Sequence, residues 1–120
     1  MKYFILVLLS VFMNVAFAGS NFLDKHYKSL STDGKQVYDL VITSNTMGWR
    51  GIEGSEKGLA ETNPSHYTSI SDGIDVIQWQ GKMGSFNTLV INNKNLKYVY
   101  SAIDKNKVTT LEEGKLEVVS

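Results

Sequence analysis

Six side chains between positions 49 and 100 of this 120-residue sequence have the chemistry to hold a small molecule. They are five aromatic residues and one arginine, namely Trp49, Arg50, Tyr67, Phe86, Tyr98 and Tyr100. Tyr and Trp join an apolar ring to a polar tip, and such residues line apolar pockets and orient their ligands. In a small domain the same rings can instead fill the core, and Trp79 in particular is predicted to be a core residue.

Arg50 is the only arginine in the sequence, and it follows directly after Trp49. A guanidinium group at the mouth of a pocket holds a carboxylate or a phosphate through two parallel hydrogen bonds. The alternative is a surface ion pair between Arg50 and either Glu53 or Glu56. The sequence leaves both interpretations open, and Arg50 is kept as the candidate anchor of an anionic group.

Metal binding and hydrolysis receive little support from the sequence. It contains two histidines, His26 and His66, and no cysteine, whereas protein metal sites need three or four ligands at suitable spacing. Ser65, His66 and Asp72 are the residue types of a hydrolytic triad, but no motif that would position a nucleophile accompanies them. We therefore assign no catalytic residue, no metal and no cofactor.

Residues 1–18 have the three-part pattern of a secretory signal peptide. Lys2 supplies the positive start, residues 4–17 are almost entirely apolar, and Ala16 and Ala18 are the small residues that signal peptidase requires. The apolar run is shorter than the roughly 20 residues that a membrane-spanning helix needs. We predict cleavage after Ala18, which leaves a single domain at residues 19–120 that is periplasmic or secreted and has no membrane attachment.

The charge distribution excludes an obvious nucleic-acid partner. The 12 basic and 12 acidic residues balance, and the two signs are interspersed along the chain without a basic run. Proteins that bind nucleic acid present a concentrated basic patch to the phosphates. The expected partners are therefore a small ligand or another protein.

The elements that must position the candidate side chains are mostly short strands. A short helix is predicted first, because Phe22, Leu23, His26, Tyr27 and Leu30 share one helical face. After Gly34 the hydrophobic period changes from helical to two, which indicates strands. The predicted strands cover residues 36–44, 46–52, 65–71, 74–80, 85–91, 96–103, 108–111 and 116–119.

The connections between these strands are turns, with one longer polar loop at residues 53–63 that Pro64 closes. The Asp72-Gly73 pair between two isoleucines is a strong hairpin signal, and residues 112–115 are expected to form the last turn. Within residues 74–80 the apolar phase slips, because Ile77 and Trp79 lie on the face opposite Ile74. That slip predicts a bulge or a strand buried on both faces.

The expected fold is all-β. Short connections make neighbouring strands antiparallel, and about eight strands hide their edges by closing into an up-and-down barrel. The N-terminal helix would lie at one mouth of this barrel. A half-open sheet wrapped on the helix is the alternative architecture.

The stretch from Trp49 to Ile103 resembles the MoaF-like branch of the calycin, or lipocalin-like, superfamily. The resemblance lies in Trp49 with the glycine-containing loop that ends at Gly58, in Tyr67 before a hairpin, in residues 70–79, which end in a Trp, and in residues 88–91. It implies a small β-barrel that binds a small ligand inside. Fold likeness alone does not establish a function.

The function expected from these observations is that of an exported β-barrel that holds a small apolar or amphipathic ligand. A protein-interaction role is the first alternative, for example inhibition of a cell-wall hydrolase in the manner of lysozyme inhibitors. A cofactor-free enzyme similar to the phenolic acid decarboxylases is the second, since Tyr67, Arg50 and Glu53 are types that acid–base chemistry in a barrel uses. A non-enzymatic role is favoured.

Overall fold

A computed structural model of the protein describes residues 22–119, so the predicted signal peptide at residues 1–18 lies outside the described residues. The described chain contains strands and turns and no α-helix. The strands are β1 Lys25–Ser31, β2 Val37–Ile42, β3 Thr46–Glu53, β4 Ala60–Ser71, β5 Ile74–Gln80, β6 Phe86–Asn92, β7 Lys97–Ile103 and β8 Thr109–Val118.

The eight strands form one closed antiparallel barrel in which each strand pairs with the next along the chain. The last strand returns to the first, with Tyr27 opposite Val118 and Ser31 opposite Gly114. Every strand therefore has two neighbours, and no sheet edge is left unpaired. The predicted all-β, up-and-down, eight-stranded barrel is confirmed, and the half-open sheet is excluded.

The predicted N-terminal helix is wrong, because residues 25–31 form strand β1. Tyr27, Ser29 and Ser31 face the interior at a spacing of two, and two of these three are serines, so their burial leaves no apolar signal. β1 pairs with β2 on one side and with β8 on the other. Closing the barrel gives hydrogen-bond partners to the backbone groups on both sides of this segment. These bonds stabilise the strand more than the few hydrogen bonds of a short helix would stabilise the helix.

The last predicted turn is also wrong, because β8 runs without interruption through residues 112–115. Gly114 has no left-handed conformation and lies in the ladder between Ser31 of β1 and Tyr98 of β7. A Cβ atom at this position would collide with the carbonyl oxygen of Leu30. Gly114 is therefore required for the close approach of β1 and β8, and it does not mark a turn.

Part of the predicted polar loop belongs to β4, which begins at Ala60 and includes Pro64. Pro64 lies opposite Thr46 in the ladder with β3 and is exposed. The polar composition of this segment suggested a loop, but Asn63 is buried inside the barrel. Polar residues that face the interior of a barrel cannot be distinguished from loop residues by hydropathy alone.

Strand β5 keeps a regular alternation, contrary to the predicted slip. Asp75, Ile77 and Trp79 face inward, and Ile74 and Val76 are half-buried on the outer face. The inward position of the acidic Asp75 made the apolar phase seem to change. The irregularity of this hairpin lies instead in β4, where the register shifts between Ser69 and Ser71.

The two ends of the barrel differ. At the end where the chain enters, the Phe22 ring stacks on Tyr27 with ring centroids 4.8 Å apart, and the Tyr27 hydroxyl donates to the Phe22 carbonyl at 2.7 Å. Beside them the fully buried carboxylate of Asp75 accepts hydrogen bonds from the Tyr67 hydroxyl and, at 2.7 Å, from the Asn93 side-chain amide. Packed side chains close this end.

The middle of the barrel is a packed apolar layer. Its most deeply buried aliphatic members are Ile42, Met47, Ile77 and Ile91. Among residues 22–119 the structure contains no helix with the length and hydrophobicity that a membrane crossing requires.

Candidate functional site

The end of the barrel opposite Phe22 contains a cavity of about 150 Å³ that opens to solvent. Its inner part is apolar and is formed by buried side chains such as Leu40, Met47 and Leu89. Its walls are aromatic and comprise Tyr38, Trp49, Trp79, Tyr98 and Tyr100. Side chains from β2, β3, β5, β6, β7 and β8 therefore converge on one space, as the alternation of barrel strands requires.

The aromatic rings hold one another in fixed orientations. Tyr38 and Trp49 meet edge to face with centroids 5.8 Å apart. Across the cavity, Trp79 and Tyr100 stack with centroids 6.1 Å apart and an interplanar angle of 27°. Such pairs contribute about 0.5–1.5 kcal/mol beyond their burial. The aromatic walls are thus held in place before a ligand binds.

Three carboxylates surround the mouth of the cavity, from Glu56, Glu61 and Glu112. Glu112 is the inward-facing residue near the start of β8, and Glu61 is inward-facing near the start of β4. Glu56 lies in the loop between β3 and β4 and is brought over the barrel by that loop. Of the residues that the structure describes around the cavity, none is a lysine, an arginine or a histidine.

The loop that carries Glu56 is held against β3 at Gly51. The backbone of Gly51 bonds to both sides of the loop, donating to the Leu59 carbonyl at 2.9 Å and accepting from the Gly58 amide at 3.0 Å. A Cβ atom on residue 51 would collide with the carbonyl of Glu56. Glycine at position 51 therefore lets the loop fold back, and this places the Glu56 side chain at the mouth.

Two of the carboxylates are oriented by tyrosines of the wall. The Tyr38 hydroxyl donates to Glu56 Oε1 at 2.7 Å, and the Tyr98 hydroxyl donates to Glu112 Oε2 at 2.8 Å. The Tyr100 hydroxyl donates to Asn87 Oδ1 at 2.5 Å. Hydrogen bonds to ionised acceptors are stronger than those between neutral groups, so these carboxylates are held in position before any ligand arrives.

The titration behaviour of these groups follows from burial and from the concentration of negative charge. Burial, with the hydrogen bond to Glu56, raises the pKa of Tyr38 well above its usual range, and burial raises the pKa of Tyr100 to about 12. Both phenols are therefore neutral donors at ordinary pH. Burial also raises the pKa of the Glu112 carboxyl, and the charges of Asp33 and Glu56 add to this effect.

Three of the six predicted ligand-binding residues meet at this cavity. Trp49, Tyr98 and Tyr100 all line it, although their positions in the sequence are up to 51 residues apart. Trp79, predicted to be a core residue, is mostly buried but also lines the cavity. The sequence therefore identified the aromatic wall in part, and the role of these residues in binding remains a prediction.

The other three predicted residues lie elsewhere. Arg50 points out of the barrel, and its guanidinium Nη2 lies 2.9 Å from Asp39 Oδ2. It pairs with neither Glu53 nor Glu56. Phe86 is half exposed on the outer face of β6, and Tyr67 faces inward at the closed end, where it bonds to Asp75. Because adjacent residues of a strand face opposite sides, Trp49 and Arg50 cannot both enter the barrel.

The residues considered for catalysis do not converge. Arg50 and Glu53 are exposed and Tyr67 is inside the closed end, so these three form no common site. His66 and Asp72 are exposed, on β4 and in the hairpin turn after it. Within residues 22–119 no group of three or more His, Asp or Glu side chains is arranged to hold a metal ion.

Sequence reasoning missed the polar residues at the cavity, including Tyr38, Glu56, Glu61, Asn87 and Glu112. Tyr38 lies in the predicted strand at residues 36–44, to which no site role was given, and Glu56 and Glu61 lie in the predicted polar loop at residues 53–63. Glu112 was assigned to a turn, although its spacing of two from Gly114 and four from Leu116 places all three on one strand face. That alternation is the signal that would have found it.

The chain has recognisable relatives by family and by fold. Residues 25–107 match the family described as the MoaF C-terminal domain. The structure is similar to a crystal structure described as that of "a putative beta-lactamase from Burkholderia vietnamiensis", with a TM-score of 0.74 and 13% sequence identity over 82% of this chain and 95% of that chain. At this identity the likeness shows the fold alone. No curated protein sequence matches the chain.

Proposed function

The chain belongs to the MoaF C-terminal domain family, and from that premise we propose that it is an exported binding protein that holds a small amphipathic ligand in the open end of its barrel. One observation carries the proposal: the aromatic residues there surround an open space and do not fill it. A barrel of eight strands has room for one small ligand. The apolar interior would take the body of the ligand, and the polar mouth would take its head.

The size of the cavity limits the ligand. Pockets for drug-sized molecules measure about 300–1,000 Å³, whereas this cavity measures about 150 Å³. A dry cavity of about 150 Å³ binds a molecule of the size of benzene. The proposal therefore concerns a ligand with one ring or a short branched chain, and long fatty acids and haem are too large for the enclosed part.

Export is proposed on the pattern of residues 1–18, which has the charge, the apolar run and the small residues of a cleaved signal peptide. Amino-terminal sequencing of the protein recovered from the cell envelope or the medium tests this directly. A mature chain that begins at Gly19 supports export, and an intact Met1 in the cytoplasm contradicts it.

Intrinsic fluorescence tests the binding proposal, because the only two tryptophans of the sequence, Trp49 and Trp79, both line the cavity. A ligand of about ten non-hydrogen atoms that gains about 0.5 kcal/mol per atom has a dissociation constant of about 200 μM. Titrations with small amphipathic molecules must therefore extend into the millimolar range. A saturable change in emission is expected.

A matched pair of substitutions locates the binding site. Ser29 faces the cavity, so Ser29→Leu fills part of it, whereas Ser101→Leu adds the same atoms on the outer face of β7. Ser29→Leu is expected to abolish saturable binding, and Ser101→Leu to preserve it. Equal binding by both variants would place the ligand outside the barrel and contradict the proposal.

A protein-contact function is the second candidate, and one observation favours it. The outer face of β6, β7 and β8 exposes a group of apolar side chains, namely Phe86, Val99, Ile103 and Leu111. Exposed apolar groups of this kind often mark a contact surface. The candidate partner is a cell-wall hydrolase, and a lysozyme-activity assay tests it. Inhibition by the wild-type protein that Leu111→Ser abolishes would support this function, and unchanged lysozyme activity would remove lysozyme as the target.

A further inference from the structure

We infer that the ligand carries a positive charge, and that the cavity recognises an ammonium head group by the carboxylates of Glu56 and Glu112 above a wall of aromatic rings. This inference rests on the proposed binding function and specifies the class of molecule bound. It replaces the anionic ligand that the sequence suggested through Arg50. Three independent features of the described residues lead to it.

The first feature is the uncompensated negative charge at the mouth. Glu56, Glu61 and Glu112 line the cavity, and none of them belongs to an ion pair within residues 22–119. The ion pairs that the structure contains involve other carboxylates, namely those of Asp39, Asp72 and Glu117. A partly enclosed space with carboxylates at its mouth raises the local concentration of cations and repels anions.

The second feature is the orientation of the carboxylates. Glu56 and Glu112 each use one oxygen to accept a hydrogen bond from a wall tyrosine, Tyr38 and Tyr98 respectively. The other oxygen of each accepts no hydrogen bond from the described residues. The free oxygen of each carboxylate therefore presents negative charge in a fixed position, which attracts a quaternary ammonium group and can also accept a hydrogen bond from an ammonium group that carries N–H.

The third feature is the chemistry of the walls. Trp49, Trp79, Tyr38 and Tyr100 contribute ring surface to the same cavity. The face of an aromatic ring carries negative potential and attracts a cation within about 6 Å of its centroid, with Trp the strongest. Several such rings around one small space form the cage by which proteins recognise quaternary ammonium groups.

The location of the arginine removes the main argument for an anionic ligand. Arg50 is the only arginine of the sequence, its side chain is 63% exposed, and it is paired with Asp39 outside the barrel. A carboxylate or phosphate in the cavity would meet neutral phenols and three carboxylates. It would lose its hydration without gaining a cationic partner.

Three small molecules that have nearly the same shape but differ in charge test the inference. Choline, its neutral isostere 3,3-dimethylbutan-1-ol and the anion 3,3-dimethylbutanoate have similar size, absorb little in the near ultraviolet and fit a small cavity. Each is titrated into the wild-type protein at pH 7 and low ionic strength, and tryptophan emission is recorded. Choline is expected to bind about tenfold more tightly than the neutral alcohol, because only its charge is attracted by the carboxylates and the ring faces, and the anion is expected to bind most weakly.

Substitution of the carboxylates provides the second arm. Glu112→Gln removes the negative charge and keeps an oxygen that accepts the hydrogen bond from the Tyr98 hydroxyl. Glu56→Gln does the same for the hydrogen bond from the Tyr38 hydroxyl. Each is expected to reduce the preference for choline over the alcohol by about threefold or more. Glu113→Gln is the matched control, because Glu113 is the adjacent residue of β8 and points outward.

The outcomes separate the two proposals. If the alcohol binds as tightly as choline, or if the anion binds best, the inferred positive charge is wrong and the binding function stands. If none of the three produces a saturable change, both proposals fail. If a glutamine variant does not fold, as judged by its circular dichroism, the comparison of the three molecules on the wild-type protein remains decisive.

Discussion

Replacing Asn93 by alanine tests whether the closed end of the barrel depends on donors to a buried carboxylate. Asp75 is fully buried and accepts hydrogen bonds from the Tyr67 hydroxyl and, at 2.7 Å, from the Asn93 side-chain amide. Asn93→Ala removes the amide donor. It keeps the backbone hydrogen bond from Asn93 to the Gly73 carbonyl, so the turn itself is preserved.

The magnitude follows from the charge of the acceptor. A hydrogen bond to a charged group contributes about 1.5–3 kcal/mol, and a buried acceptor that loses its partner keeps its desolvation penalty. We therefore expect the free energy of unfolding to fall by about 2 kcal/mol. In a domain of about 100 residues, 1 kcal/mol corresponds to about 4–8 °C. The expected decrease in Tm is therefore about 8–16 °C.

Urea unfolding followed by tryptophan fluorescence measures this loss, and Asn95→Ala is the matched control. Asn95 lies in the same turn but is exposed, and its side-chain oxygen accepts from the backbone amide of Lys97 at 3.0 Å. The control is expected to change the free energy of unfolding by about 0.5 kcal/mol or less. Equal losses in the two variants would refute the argument that the buried carboxylate makes Asn93 important.

Three further substitutions test the close backbone contacts made at Gly114 and at Gly51, and the negative charge at the mouth of the cavity. Gly114→Ala drives a Cβ atom against the Leu30 carbonyl and is expected to lower the free energy of unfolding by about 2 kcal/mol or more in urea titrations. Gly51→Ala displaces the loop that carries Glu56, so choline affinity measured by fluorescence should fall about fivefold, the equivalent of one exposed charge contact of about 1 kcal/mol. Glu112→Gln removes a carboxyl whose folded-state pKa burial raises. The stability that this carboxyl contributes is present in acid and is lost as pH rises through the raised pKa, so the variant should have a higher Tm than the wild type at pH 8 and an equal Tm at pH 4.

The closed barrel could be predicted because its determinants are local. Alternation is readable in the segments that form β2, β3, β6 and β7, and the short turns make neighbouring strands antiparallel. About eight such strands close into a barrel. The count of eight was right for a partly wrong reason. One strand was read as a helix and another was read as two strands with a turn at Gly114. These two errors cancelled in the total.

The strand β1 could not be predicted because its signal depends on its partners. Tyr27, Ser29 and Ser31 face inward, and only the first of them is apolar. The local pattern of Phe22, Tyr27 and their neighbours fits a helix face, whereas the strand is stabilised by ladders to β2 and β8 that are remote in sequence. Tertiary pairing overrides such weak local preferences.

The site was predicted in part because a strand position does not tell which way its side chain points. Trp49 and Arg50 are neighbours in sequence, and a shift of one residue exchanges inside and outside. The aromatic residue proved to face inward and the arginine outward. The carboxylates that define the mouth depend on a loop that folds back at Gly51, and that contact between Gly51 and Glu56 is visible only in three dimensions.

A two-dimensional ¹H–¹⁵N spectrum of the protein tests the central claim most directly, because the two tryptophans give two indole signals and both rings line the cavity. Binding of choline in the barrel predicts that the signals of Trp49 and Trp79 shift together and saturate with one dissociation constant. The same titration of Ser29→Leu is expected to leave both signals in place. Indole signals that do not move in the wild-type protein, while backbone amides on the outer face do, would contradict a ligand site inside the barrel.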